Sequence, residues 1–199
     1  ANSAKTTATL SDDGKTYSLN GQKIWITNGG FADIFIVFAK IEDDKNLSAF
    51  IVERNYPGFS VGAEAKKMGI KASSTVQIFF DNCLVPSQNL LGDRGAGFKI
   101  ALNILNTGRI KIGAGGVGAG KFSVTKGIEY ALKRQQFNQP IADFGAIKQK
   151  ISNIITQTYA LEAAVYRTGK NIDDKINILA KNGVNDADSK LNGVKEFAI

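Results

Sequence analysis

Tyr17-Ser18-Leu19-Asn20-Gly21-Gln22-Lys23-Ile24-Trp25-Ile26-Thr27-Asn28-Gly29-Gly30 is the stretch that decides the fold class. Tyr17 and Leu19 lead into Asn20-Gly21, the strongest short hairpin signal, because both residues tolerate the positive φ of a tight reversal. The stretch therefore predicts a strand, a turn and a return strand over Lys23 to Thr27, closed by Asn28-Gly29-Gly30. Working outward, Asp33 to Ile41 is an apolar, β-branched run short enough for a buried strand. Asp43-Asp44-Lys45-Asn46 is turn chemistry, Leu47 to Arg54 is strand again, and Asn55-Tyr56-Pro57-Gly58 is another turn. Thr75 to Phe80 is a further strand, and Pro86 ends its extension. Closely spaced strands with turns between them predict an antiparallel β-barrel or sandwich.

After Gly92 the period becomes helical. Phe98, Ala101, Leu102 and Leu105 fall at i, i+3, i+4 and i+7, and the pattern runs on towards Arg134 through many glycines. Pro140 and Gly145 mark a loop. Ile147, Ile151, Ile154, Ile155, Tyr159 and Leu161 draw a second amphipathic helix. Asn171 to Asp186 reads as a polar segment broken at Gly183, and Lys190 to Ile199 as the start of a third helix. The expected fold is α+β: a β domain over residues 1–92, then an incomplete antiparallel helical bundle over 93–199.

The chain has 199 residues, is 43% hydrophobic, and has a formal charge of +7, which favours acidic or phosphate-bearing partners. It contains no histidine, which excludes Ser-His-Asp and Cys-His nucleophile systems and His-ligated zinc. With Cys83 as the sole cysteine there is no intrachain disulfide, and no metal site is expected. No apolar run is long enough to span a membrane.

Two phosphate-loop patterns fail their context tests. Gly113-Ala114-Gly115-Gly116-Val117-Gly118 spells G-x-G-x-x-G, but no convincing strand precedes it and none follows to carry a ribose-binding acid. Gly115 to Lys121 approaches a P-loop, yet Phe122 stands where a magnesium-binding Ser or Thr is needed. Glycines clustered in a helix usually serve close packing.

Trp25-Ile26-Thr27-Asn28-Gly29, preceded by Leu19-Asn20-Gly21-Gln22-Lys23 and followed by Ala32-Asp33, resembles the flavin-contacting strand of the acyl-CoA dehydrogenases. The resemblance continues in order. It takes in Phe50-Ile51-Val52-Glu53, Pro57-Gly58, Lys67-Met68-Gly69-Ile70-Lys71-Ala72-Ser73, Phe80-Asp81 with Val85-Pro86, and Asn89-Leu90-Leu91-Gly92. It then takes in Gly95-Ala96-Gly97-Phe98, Asn106-Thr107-Gly108-Arg109, and Arg134-Gln135-Gln136-Phe137 with Pro140-Ile141 and Phe144. The wording around Lys67 and Asn106 is most similar to the very-long-chain branch.

This resemblance implies an FAD enzyme that removes two hydrogens from a fatty acyl-CoA and passes electrons to electron-transfer flavoprotein. It implies a homodimeric or homotetrameric parent, in the bacterial cytoplasm or, in a eukaryote, the mitochondrial matrix. It implies that Trp25 packs beside the isoalloxazine, with Ile26 between it and Thr27, whose hydroxyl faces flavin N5. Arg134, Gln136 and Phe137 would reach the adenylate half of FAD in a neighbouring subunit, and Asn106, Thr107, Gly108 and Arg109 would line the acyl-CoA site. Asn138 stands where the family usually has glycine. Taken alone, Trp25 also reads as a buried core tryptophan, Arg134 as a helix C-terminal cation, and Arg109 as a partner for a helix carbonyl or carboxylate.

No catalytic residue is assigned. One branch of the family carries its carboxylate base at the position of Gly108, and the others carry it beyond this chain. Glu129, Glu162 and Glu196 match neither place. The expectation is an excised middle piece, inactive alone and holding FAD weakly or not at all. A non-catalytic basic module for an acidic partner such as nucleic acid is the alternative. Against it, Phe35, Phe38, Phe79 and Phe80 fall in apolar strands rather than among basic residues.

Overall fold

A computed structural model describes residues 4–195. The chain divides into two compact units that part between Leu102 and Asn103. The first unit holds β1 (Thr7–Leu10), β2 (Thr16–Thr27), β3 (Ile34–Ile41), β4 (Leu47–Glu53), β5 (Phe59–Val61), β6 (Thr75–Pro86) and β7 (Leu90–Leu91). They form one sheet in the order β5-β6-β2-β1-β3-β4-β7. Every pairing is antiparallel except β1 with β3. The sheet is open rather than a closed barrel, and it packs its own inner face together. Tyr17 meets Phe50 edge-on at 5.1 Å, and Phe59 lies 4.8 Å from Phe35 and 5.6 Å from Phe80. Leu19, Val37, Ile41, Phe50, Val52, Ile78 and Val85 are fully buried between the two halves. Each such side chain stabilises the fold by about 1.5–3 kcal/mol.

The Asn20-Gly21 hairpin is not formed. Both residues lie inside the twelve-residue β2, which pairs with β6 along most of its length. Leu19 pairs with Cys83 and Gly21 with Phe80, so β6 carries one extra residue there. Asn20 fills that bulge: its Oδ1 accepts from Asn82 N at 2.9 Å, and its Nδ2 donates to Asn82 Oδ1 at 3.2 Å. Gly21, at φ +136°, leaves room for Thr6, whose Oγ1 would sit 2.9 Å from a Cβ. Long-range pairing thus outcompetes the local turn. The actual hairpin joins β1 to β2 through Asp12-Asp13-Gly14, with Ser11 N donating to Thr16 O and Ser11 Oγ to Asp13 Oδ1. Arg94 ties the chain leaving the sheet to the β3–β4 turn through Asp44 (2.7 Å) and Glu42 (3.2 Å).

The second unit takes the main length of α1 (Gly97–Lys133), the two-residue strands β8 (Gln135–Gln136) and β9 (Gln139–Pro140), α2 (Gly145–Lys181) and α3 (Asp186–Lys195). The glycines at 113–118 lie in the interior of α1, so no dinucleotide loop or P-loop exists there. Side chains of α2 rest on the glycine backbone. A Cβ at Gly113 would meet Val165, one at Gly116 Leu161, and one at Gly120 Thr158. The rising and falling numbers show that the two helices run antiparallel, and Lys121 with Glu162 adds an ion pair between them.

The polar segment from Asn171 continues α2 through Lys181, and the break read at Gly183 is where that helix has ended. Ile172 is buried and Ile176 packs on Gly193 of α3, so the i, i+4 pair holds the helix together despite its polar neighbours. Gly183, at φ +80°, then ends α2: its N–H reaches Ala180 O and that of Val184 reaches Leu179 O. Asn185 caps α3 by accepting from Asp188 N at 2.9 Å. The trailing Glu196 to Ile199 lie outside the described residues.

Candidate functional site

In the sheet unit the notable residues lie on the last third of β2. Lys23 pairs with Ile78 and Ile26 with Val76, so Ile24 and Trp25 together oppose Gln77. This second bulge inserts its extra residue in β2. Trp25 takes φ +58°, a left-handed conformation that costs an L-residue roughly 1–2 kcal/mol. Its side chain is 69% exposed, so the buried-core reading of this tryptophan is excluded. A non-glycine residue held in this region is a candidate for a functional position. Ile26 is half-buried against the core and anchors the arm, while Thr27 is exposed. Trp25 and Ile24 border a pocket of about 260 Å³ completed by Ala63, Ala65, Lys66, Val76 and Gln77.

The chain around this arm is braced by polar contacts that the sequence did not announce. Arg54 donates from Nε to Ala32 O (2.7 Å) and from Nη2 to Gly29 O (2.6 Å), while its guanidinium lies 5.7 Å from the Phe35 ring centre. Ser74 O accepts from Asn28 N, and Ser74 Oγ accepts from Gly30 N at 2.9 Å and donates to Glu64 Oε1 at 2.5 Å. Glu64 Oε2 accepts from Thr75 N, and these bonds hold its carboxyl below the usual range. Lys67 reaches Ser73 O and Thr75 Oγ1. Met68 and Ile70 are exposed on the same loop. An isolated arginine or glutamate carries no periodic signal, so none of these braces could be read from spacing.

In the helical unit Asn106, Thr107, Gly108 and Arg109 lie on α1, where Arg109 Nη1 is 3.5 Å from Asn106 Oδ1 and a Cβ on Gly108 would meet nothing within 4 Å. Arg134 follows the end of α1, and Gln136 and Phe137 lie in the β8–β9 hairpin. Phe137 and Asn138, at φ 51° and 61°, occupy its two turn positions as a type I′ turn requires. Asn138 meets the backbone demand that glycine would otherwise meet. Phe137 is strained, 88% exposed, and meets Phe144 edge-on at 6.1 Å. At 1.5 Å per helical residue, Gly108 and Arg134 are roughly 40 Å apart. The structure therefore brings Asn106–Arg109 together as one group and Arg134, Gln136 and Phe137 as another. It does not bring the two groups together in one chain. No group of His, Cys, Asp or Glu side chains suited to a metal occurs among the described residues. Cys83 is buried, which pushes its thiol up to about 11, and it is no nucleophile.

The acyl-CoA dehydrogenase middle-domain family model matches residues 1–83, and the acyl-CoA dehydrogenase C-terminal-domain model matches residues 95–189. The chain belongs to the acyl-CoA dehydrogenase family. It is 45% identical over 196 residues to a probable acyl-CoA dehydrogenase of Bacillus subtilis (strain 168), covering 98% of this chain and 33% of that protein. It is 44% identical over 181 residues to the mitochondrial very long-chain specific acyl-CoA dehydrogenase of Macaca fascicularis, covering 87% and 28%. The crystal structure of acyl-CoA dehydrogenase complexed with FAD from Bacillus anthracis superposes with a TM-score of 0.90 at 49% identity, covering 98% and 33%. The chain thus spans about a third of the length of such relatives. No helix among the described residues is long and apolar enough to cross a membrane.

Proposed function

We propose that this chain is the flavin-contacting middle portion of an FAD-dependent acyl-CoA dehydrogenase that converts fatty acyl-CoA thioesters to trans-2-enoyl-CoA. In this reading residues 1–92 are the middle β domain and residues 93–199 the first part of the C-terminal helical domain. The observation that carries it is the bulge holding Trp25 exposed at positive φ beside an exposed Thr27. The residues fit the cofactor: a bare indole suits a planar aromatic ring, and a nearby hydroxyl suits a ring nitrogen. FAD, when bound, supplies the hydride acceptor.

The protein's part is positioning. Trp25 presents a rigid apolar wall, Ile26 anchors it to the core, and Thr27 offers a hydrogen bond. Arg134 offers a guanidinium fork suited to a pyrophosphate, with Gln136 and Phe137 beside it on the hairpin. The roughly 40 Å between that hairpin and the Asn106–Arg109 group supports a site in which Arg134, Gln136 and Phe137 serve the cofactor of a neighbouring subunit in a homodimer or homotetramer. Asn106, Thr107 and Arg109 would contact the acyl-CoA, and Gly108 leaves space for it. Electron-transfer flavoprotein is the electron acceptor in this reading. The compartment is the bacterial cytoplasm or, for a eukaryotic source, the mitochondrial matrix.

Glycine at 108 cannot take a proton, so the 199 residues alone are expected to be inactive. The test is reconstitution: mix FAD with the 199-residue chain and, separately, with the protein extended to the length of its relatives, then desalt. Retained flavin in the extended protein with little in the shorter chain supports the reading. An extended, folded protein that takes up no FAD refutes it.

A further inference from the structure

The sheet splits beside the Trp25 arm. β1 separates β2 from β3 only as far as Thr7; the last rung beyond it is Lys40 N to Thr6 O, at 3.0 Å. Past that rung, β2 continues from Gly21 to Thr27 and β3 runs back towards Ile34, and among the described residues no strand lies between them. A cleft of about 420 Å³ lies between β2 and the chain leading into β1, lined by Ala4, Lys5, Thr6, Lys23, Ile24 and Ile26 among others. Lys23 Nζ donates to Phe38 O of β3 at 2.7 Å, joining the two strands directly.

The geometry explains why a lysine is needed. Lys23 lies directly opposite the buried Ile78, so its side chain leaves β2 on the inner, apolar face. Lys40 and Glu42 both send their N–H groups towards β1, and Phe38 has the same parity, so its carbonyl points into the split. The ammonium satisfies a carbonyl on the β1-facing edge of β3. Burial lowers the lysine's pKa, as expected for a cation held on an apolar face. Lys23 is also the last regularly paired residue of β2 before the bulge that carries Ile24 and Trp25.

We propose that Lys23 is a positioning residue: its bond to Phe38 ties β2 to β3 just before the bulge and so fixes the Trp25–Thr27 arm for flavin contact. This rests on the flavin reading of that arm given above. Lys23 touches neither cofactor nor substrate in this account. It acts through the strand, and its removal is expected to loosen the arm rather than to alter acyl-CoA binding.

Trp25 is the only tryptophan in the 199 residues, so its fluorescence anisotropy decay reports the arm directly. Lys23→Met keeps the length and apolar stem but removes the donor. It is expected to raise the amplitude of nanosecond motion at Trp25 about twofold, with unchanged far-UV dichroism, while Lys23→Arg stays near wild type. In the extended, FAD-loaded protein, Lys23→Met is expected to slow flavin reduction by acyl-CoA about tenfold, since small misplacements of reacting groups carry penalties of this order. KM should stay within about twofold, because uniform binding is untouched, and Lys23→Arg should restore most of the rate. Should Lys23→Met not fold, Lys23→Gln, too short to reach Phe38, is measured with the same expectations. Trp25 mobility and reduction rate both unchanged would overturn the proposal, and so would a change in either one alone. An extended wild-type protein that binds no FAD refutes the functional reading instead, and is seen before any substitution is made.

Discussion

The glycines of α1 divide into two groups that should respond oppositely to alanine. A Cβ at Gly115 or Gly118 would meet nothing within 4 Å, whereas one at Gly120 would lie 3.0 Å from Thr158 Oγ1 and 3.1 Å from its Cγ2. In a helix interior, alanine is favoured over glycine by about 0.8–1.0 kcal/mol. Gly115→Ala with Gly118→Ala should therefore stabilise the helical unit by roughly 1.5–2 kcal/mol. At Gly120 the same gain is opposed by overpacking, typically about 1–3 kcal/mol. Thr158 is β-branched and stiff at χ1, so it has little room to turn away. The net effect of Gly120→Ala is then a loss of up to about 2 kcal/mol. Urea unfolding followed by far-UV dichroism measures this, with the midpoint read at constant slope. If Gly120→Ala raises the midpoint as much as Gly115→Ala, α2 does not rest on Gly120 and the glycine seam is wrong.

Three further outcomes follow from the sheet unit. Arg54→Lys keeps the charge but loses the two-pronged grip on Gly29 O and Ala32 O, so amide exchange at residues 28–33 should quicken while the core stays protected; unchanged exchange would refute the clamp. Glu64 is held below the usual carboxylate range by Ser74 and Thr75, so its stabilisation is present above that range and lost as pH falls through its lowered folded-state value. Acid should therefore release the 64–75 brace, seen as faster exchange at Thr75 N–H, and Glu64→Gln should remove the pH dependence. Cys83, buried with its thiol pushed up to about 11, should resist a thiol reagent at neutral pH until the sheet is unfolded; rapid labelling of the folded chain would contradict its burial.

Strand content was legible where a run of residues obeyed one rule. Ile34–Ile41 and Leu47–Glu53 are apolar runs between turn clusters, and they form β3 and β4 as read. Asn20-Gly21 misled because turn preference is local, while the pairing that decided its fate involves Thr6 and Asn82, the latter 62 residues away from Asn20. Asp12-Asp13-Gly14 carried an equally good turn signal and was the one used. The tract at 171–181 looked polar because its charged residues outnumber Ile172 and Ile176, yet those two supply the packing that keeps it helical. The residues proposed to contact flavin were visible only through the order of motifs. The positive φ at Trp25 and Phe137, the Arg54 clamp and the Lys23 bridge depend on groups brought together by folding, and no spacing rule encodes them.

That the Trp25–Thr27 arm serves a flavin taking electrons from an acyl-CoA is the point on which the proposed function stands. It is tested most directly by adding palmitoyl-CoA anaerobically to the FAD-loaded protein extended to the length of its relatives, with Thr27→Val in parallel. The visible flavin band should bleach in the wild type. The Thr27→Val protein, folded and holding its flavin, should bleach distinctly more slowly, because one hydrogen bond at the reacting ring is gone. A flavin that stays fully oxidised with saturating acyl-CoA, or one that bleaches equally fast in both proteins, would contradict it.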